Sequence, residues 1–144
     1  MSACVWAQSM YILRMSRHEA RVLALQVLYE ADAAGHPAGD VLGRHVREAQ
    51  VETLVRDYAS QLVSGVISLR STLDEQIGKL APEFPVGQLA VIDRNILRMA
   101  LWEMQHSEVP VKAAINEAVD LAKEFGGDAS SRFVNGVLGA ATQA

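Results

Sequence analysis

The stretch VPVKAAINEAVDLAKEFGGDASSRFVNGVLGAA, residues 109–141, decides the fold. It reads as two helices folded back on each other. Pro110 sits where a first-turn proline is tolerated, and Ala114, Ile115, Ala118, Val119, Leu121, Ala122 and Phe125 recur at helical spacing, so one face is apolar. Gly126 and Gly127 end that helix, because glycine is free to adopt the positive φ of a helix C-cap. Ser130 and Ser131 are placed to accept the free amides of the next helix, which carries Phe133, Val134, Val137 and Leu138. The tight turn thus joins a new helix N-terminus to Arg132, a combination suited to an anion such as phosphate. Ile115, Leu121, Phe125 and Val134 are expected to serve packing alone.

Working outward, Ser16-Arg17-His18-Glu19 has the form of a capping box, which predicts a helix from Ser16 to about Gly35. Ala20, Leu23, Ala24, Val27, Leu28 and Ala31 fall on one arc of that helix, while Arg14, Arg17, His18 and Arg21 form a basic stripe on another. Asp40, the last residue of the loop GHPAGD, is a candidate N-cap for a short helix. From Val51 to Leu80 apolar residues keep a helical period that breaks at most once, and Pro82 and Pro85 then divide the chain. Leu89, Ile92, Ile96, Leu97, Ala100, Leu101 and Met104 mark a further helix, broken near His106 and Ser107. No sustained period-2 alternation occurs, so the expected fold is all-α, with six to seven helices in two small subdomains (about 16–81 and 86–141) packed as one domain. The opening MSACVWAQSMYIL has no charge; residues 1–15 are expected to be a disordered extension, with Met15 as a plausible biological start.

At 144 residues, half of them hydrophobic, the chain suits one domain with a sizeable core. A net charge of −4 argues against indiscriminate, charge-driven nucleic-acid binding but leaves room for a local basic patch. One cysteine, Cys4, excludes a disulfide framework and a thiolate metal cluster, and the four histidines lack ligand spacing, so no metal or cofactor is expected. With no apolar run of bilayer length and no signal-peptide pattern, a soluble cytoplasmic protein with no membrane association is expected. No nucleophile with a base, no carboxylate cluster and no phosphate-binding glycine loop points to an enzyme. Asp93, Glu103, Glu117, Asp120 and Glu124 read as solvated or ion-paired acids.

The basic stripe is more informative. Cations in a first helical turn oppose the helix dipole, so an anionic partner would offset an unfavourable arrangement; the plainer reading is a solvated face. Tyr29 lies about three turns along near the same stripe, as expected if a nucleotide chain ran beside the helix and stacked on its ring; the alternative is a half-buried core tyrosine. Phe133 admits the same two readings.

The segments RHEARVLALQVLYEAD (17–32), VIDRNILRMALWEM (91–104), VPVKAAINEAVDLAKEFG (109–126) and SRFVNGVLG (131–139) together resemble the NusB family of bacterial transcription antitermination factors. The order and spacing of I-N-E-A, L-A-K and F-V-N-G-V-L carry the resemblance, which covers Arg17 to Gly139. It implies a non-enzymatic, all-helical adaptor that pairs with the ribosomal protein NusE, binds boxA-type single-stranded RNA of rRNA leader transcripts, and joins the RNA polymerase antitermination complex to support read-through and rRNA maturation. By position, it implies RNA-binding roles for Arg17, His18, Arg21, Tyr29, Ser130, Arg132 and Phe133, and a NusE-facing role for Asp93 and Arg94. The start R-M-S-R-H-E-A-R is sparser in cations than the family motif, and Ala129 stands where an acid is common. Two other readings remain open at this level: a detached RNA-binding module like the one fused to rRNA cytosine methyltransferases, and a helical homodimer whose basic stripe is solvated surface.

Overall fold

The computed structural model describes residues 3–143. Met1 and Ser2, the side chains of Ala3, Cys4, Trp6 and Tyr11, and Ala144 lie outside the described residues. Seven α-helices make up the described chain: α1 (Ala3–Ala34), α2 (Ala38–Ala49), α3 (Thr53–Ser68), α4 (Arg70–Leu80), α5 (Val91–His106), α6 (Val111–Gly126) and α7 (Asp128–Ala141). A short 3-10 turn, Val86–Gln88, bridges α4 and α5, and no strand is present among the described residues. The all-α expectation therefore holds, including the single break in 51–80, which falls at Leu69.

Helix α1 packs on α2, α3 and α5, while α5, α6 and α7 pack on one another. One continuous core runs through both halves, from Leu25, Val27 and Leu28 through Leu62, Val66, Leu73 and Ile77 to Leu97, Leu101, Leu121 and Leu138. Burying each such aliphatic side chain contributes about 1.5–3 kcal/mol, so the halves are held by the same apolar term that holds each helix.

Three helix starts differ from the sequence expectation. Helix α1 continues back to Ala3, so the capping box at Ser16 lies in mid-helix and Ser16 is buried. The reason is local: residues 3–16 contain neither glycine nor proline, so nothing stops propagation toward the N-terminus. Helix α2 starts after Pro37, whose extended backbone (φ −60°, ψ 127°) caps it, and Asp40 sits in the first turn, where its charge favours the dipole. Helix α7 starts after Gly127, placing Ser130 and Ser131 inside it rather than ahead of it.

Gly127 explains how α6 and α7 join so closely. Its φ of 93° with ψ −172° is a conformation that residues with a Cβ hardly populate, and one residue serves as both the C-cap of α6 and the N-cap of α7. A Cβ at Gly126 would lie 2.4 Å from the Ser130 hydroxyl oxygen, so the two glycines let α7 begin directly against the end of α6.

Candidate nucleic-acid interface

The basic residues of α1 do not all reach solvent. Arg21 is 4% exposed and donates from Nε to Glu103 Oε1 at 2.8 Å and from Nη2 to Oε2 at 2.9 Å. Tyr58 of α3 also donates its hydroxyl to Glu103. Burial and the adjoining Glu103 carboxylate push the Tyr58 phenol up to about 12, so Tyr58 is a neutral donor throughout the ordinary pH range. Arg21 is therefore not presented to solvent as a ligand for RNA: its guanidinium is buried, with Nε and Nη2 bonded to Glu103 and Nη1 3.7 Å from Glu117, and it anchors α1 to α5.

Arg17 and His18 diverge because consecutive helical residues point about 100° apart. The Arg17 guanidinium lies 5.6 Å from the Tyr58 ring centroid, as in a cation–π contact, and lines a groove of about 620 Å³ with Tyr58, Trp102 and His106. His18 turns toward α6, where its Nδ1 lies 3.1 Å from Glu117 Oε2. Arg14 is exposed one turn earlier on the same stripe.

Tyr29 is 43% exposed, and eleven residues after His18 it returns to nearly the same helical face, about 16 Å further along. It lines a groove of about 700 Å³ with Leu25, Gln26, Glu30, His45, Ile92 and Phe125. Phe125, expected to be core, is 37% exposed there. The physical reason is its place in the last turn of α6, where Gly126 ends the helix before another element covers the ring. A Cβ at Gly126 would stand 3.4 Å from Ile92 Cγ2 and 2.4 Å from Ser130 Oγ, so Ser130 adjoins the end of the Tyr29 groove. The first helix and the α6–α7 turn, far apart in sequence, thus meet through Ile92 and Phe125.

Arg132 and Phe133 lie beyond that turn. They line a separate recess of about 320 Å³ with Leu80, Phe84 and Val137, and no α1 residue takes part. Phe133 packs edge-on to Phe84, with ring centroids 5.5 Å apart at 78°. Arg132 is exposed, while Ser130 and Phe133 are partly buried.

The pair expected to face a protein partner separates in the same way. Asp93 is partly buried in the first turn of α5, where a negative charge suits the helix N-terminus. Arg94 instead donates from Nε and Nη2 to the Asp32 carboxylate, both at 2.7 Å, and from Nη1 to the Gly87 carbonyl at 3.2 Å. Its side chain is only 14% exposed, so it staples α1 and the 3-10 turn to α5 rather than presenting a charge outward. Asn95 and Arg98 complete the cluster on Asp32, and Arg98 also grips Asp74 of α4 with bonds of 2.7 and 3.0 Å. The Arg94 hydrogen bonds, joined by Asn95 and the charge of Arg98, outweigh burial and hold the Asp32 carboxyl down at about 2.

No group of three or more His, Cys, Asp or Glu side chains is placed to hold a metal ion, and no helix is long and apolar enough to cross a membrane, among the described residues.

The NusB family model matches residues 18–143. The transcription antitermination protein NusB of Dehalococcoides mccartyi strain CBDB1 is 50% identical over 131 residues, covering 90% of this chain and 91% of that protein. The NusB of Chloroflexus aggregans is 46% identical over 130 residues, covering 88% and 87%. Among solved structures, one of the antitermination factors NusB and NusE in complex with dsRNA superposes with a TM-score of 0.82 at 28% identity, covering 90% of this chain and 97% of the matched one. A NusB of T. maritima superposes with a TM-score of 0.82 at 25% identity, covering 88% of this chain and 90% of the other. The grooves, the helical order and these relatives lead to one assignment: the chain belongs to the NusB family.

Proposed function

We propose that the chain is a transcription antitermination factor that pairs with a NusE-type ribosomal protein and holds boxA-type single-stranded RNA, in support of read-through and rRNA maturation. The observation that carries this reading is the path from His18 along α1 to the Tyr29 groove and the α6–α7 turn at Ser130, with Arg132 and Phe133 beyond it. The likeness to a NusB seen with NusE and dsRNA supports a NusE-type protein and, as a class, RNA. Asp93, at the start of α5, is assigned to the protein-facing side, and the RNA polymerase antitermination complex is the assembly the pair would join.

An acidic chain needs such a local surface, because indiscriminate phosphate binding is suppressed by its net charge of −4. With Arg21 enclosed, two to three phosphates are neutralised, which gives a log–log salt slope of about −1.5 to −2 for single-stranded RNA. The test is a mobility-shift titration of boxA-type RNA with and without the ribosomal protein over a salt series. A sequence-dependent complex that the ribosomal protein strengthens supports the reading, and binding that ignores both sequence and partner overturns it. Asp93→Lys should impair the protein pairing more than RNA contact.

Self-association is a second reading with an observation of its own. Val5, Met10, Ile12 and Leu13 are exposed apolar residues on the uncharged start of α1, and Met15 is exposed just beyond Arg14. Light scattering of the full chain and of a chain starting at Met15 distinguishes it: a dimer that disappears on truncation favours this surface.

A further inference from the structure

The basic stripe of α1 contains one imidazole, His18, among its guanidinium side chains. Its Nδ1 lies 3.1 Å from Glu117 Oε2, and the His18 side chain is 45% exposed. A carboxylate only accepts, so Nδ1 carries the hydrogen of that bond. The same Glu117 oxygen lies 3.7 Å from an Arg21 nitrogen, and Arg21 is itself clamped by Glu103. Glu117 is therefore held from its buried side while it holds the histidine on its exposed side. The charged and titratable groups around His18 are Arg14, Arg17 and Arg21 on α1 and Glu117 on α6, with Glu103 of α5 and Tyr58 of α3 behind Arg21.

We propose that Glu117 is a positioning residue for RNA binding: by fixing the hydrogen on Nδ1 it leaves Nε2 of His18 as the phosphate-facing atom, so that RNA affinity is linked to proton uptake. The inference rests on the RNA-binding reading above. A neutral ring with its hydrogen on Nδ1 presents a lone pair at Nε2, which repels phosphate oxygen. Only after taking a second proton from solvent does Nε2–H donate, and the ring then also carries a positive charge. An arginine would have no such requirement, being charged at every ordinary pH.

The experiment measures the affinity of the full chain for a labelled boxA-type single-stranded RNA from pH 5.5 to 8.5 at fixed ionic strength, for the parent, His18→Arg and Glu117→Gln. Imidazole ¹⁵N spectra without RNA report which ring nitrogen carries the hydrogen. The parent should lose affinity as pH rises, by at most about tenfold per pH unit for one linked proton. His18→Arg should remove that slope, and because His36, His45 and His106 remain in it, the difference isolates His18. Glu117→Gln should flatten the slope and release the Nε2–H tautomer, since glutamine can donate or accept. A parent ring already in the Nε2–H form at pH 8.5, or a His18→Arg slope equal to the parent's, overturns the proposal. Should Glu117→Gln not fold, the half-exposed His18→Arg change decides alone. Absence of RNA binding at every pH overturns the function reading, and the linkage with it, even where the spectra still place the hydrogen on Nδ1.

Discussion

Arg21→Ala is the perturbation whose size follows most directly from the geometry. It removes one partner of an ion pair in which Arg21 is 4% and Glu103 2% exposed, joined by hydrogen bonds of 2.8 and 2.9 Å. At an effective dielectric of about 20, unit charges about 4 Å apart interact by about 4 kcal/mol. Stranding the remaining carboxylate in the core costs about 3–5 kcal/mol, against a total stability of about 5–15 kcal/mol for a domain of this kind. With a urea dependence of about 2 kcal/mol per molar, the unfolding midpoint should fall by about 2 M. The assay is urea unfolding followed by circular dichroism, on the single variant and on Arg21→Met with Glu103→Gln. The double variant removes both charges while the introduced amide oxygen still accepts from Tyr58, so it should recover more than half of the loss. Because that protein folds without Arg21, its RNA affinity should stay within about threefold of the parent's. A loss below about 1 kcal/mol in Arg21→Ala refutes the enclosed pair, and a double variant that folds but no longer binds RNA refutes the structural assignment of Arg21.

The other expectations concern acid, backbone and grooves. Asp32 is held at about 2 against an ordinary 3.8, so its ionised form stabilises the fold by about 2 kcal/mol above pH 4, and this is lost as pH falls toward 2. Asp32→Asn should flatten that part of the stability–pH curve, and an unchanged acid limb contradicts the cluster. Gly127→Ala places a Cβ on a backbone at φ 93°, which costs about 1–3 kcal/mol in thermal or urea unfolding; a change below about 0.5 kcal/mol would show that the α6–α7 joint relaxes freely. Tyr29→Ala and Phe125→Ala should each weaken RNA binding by up to about 1–3 kcal/mol where a base stacks, with helicity retained, and equal loss for an unrelated surface change such as Lys79→Ala speaks against stacking.

The helices were legible because burial of one face imposes a 3.6-residue period that needs no knowledge of partners. Their starts at Ala3, Ala38 and Asp128 were less so, since capping patterns at Ser16, Asp40 and Ser130 are local permissions that a continuing helix overrides. The fate of the cations was not legible from spacing. Arg21 is paired with an acid 82 residues away, and Arg94 with one 62 residues away, so only the tertiary fold decides which charges face water. A faint signal existed for Arg21: its partner Glu103 sits within the apolar run of α5, and Leu25, one turn after Arg21 on the same stripe, is apolar and fully buried. Phe125 was missed for the opposite reason, because helical spacing does not reveal that a helix ends before its last aromatic is covered. Glu117 reads in the sequence as a scattered acid, and its place between Arg21 and His18 exists only once α5 brings α6 within side-chain reach of α1.

A single RNA face joining α1 to the α6–α7 turn is central to the proposed function. Backbone amide shifts of the ¹⁵N-labelled chain, followed during titration with boxA-type RNA, test it most directly. The largest changes are expected at His18, Tyr29, Phe125, Ser130 and Arg132, with little change around Trp102, Glu108 and Val109. Changes centred instead on the Tyr58–Trp102 groove, with the Tyr29 groove and the turn undisturbed, would contradict it.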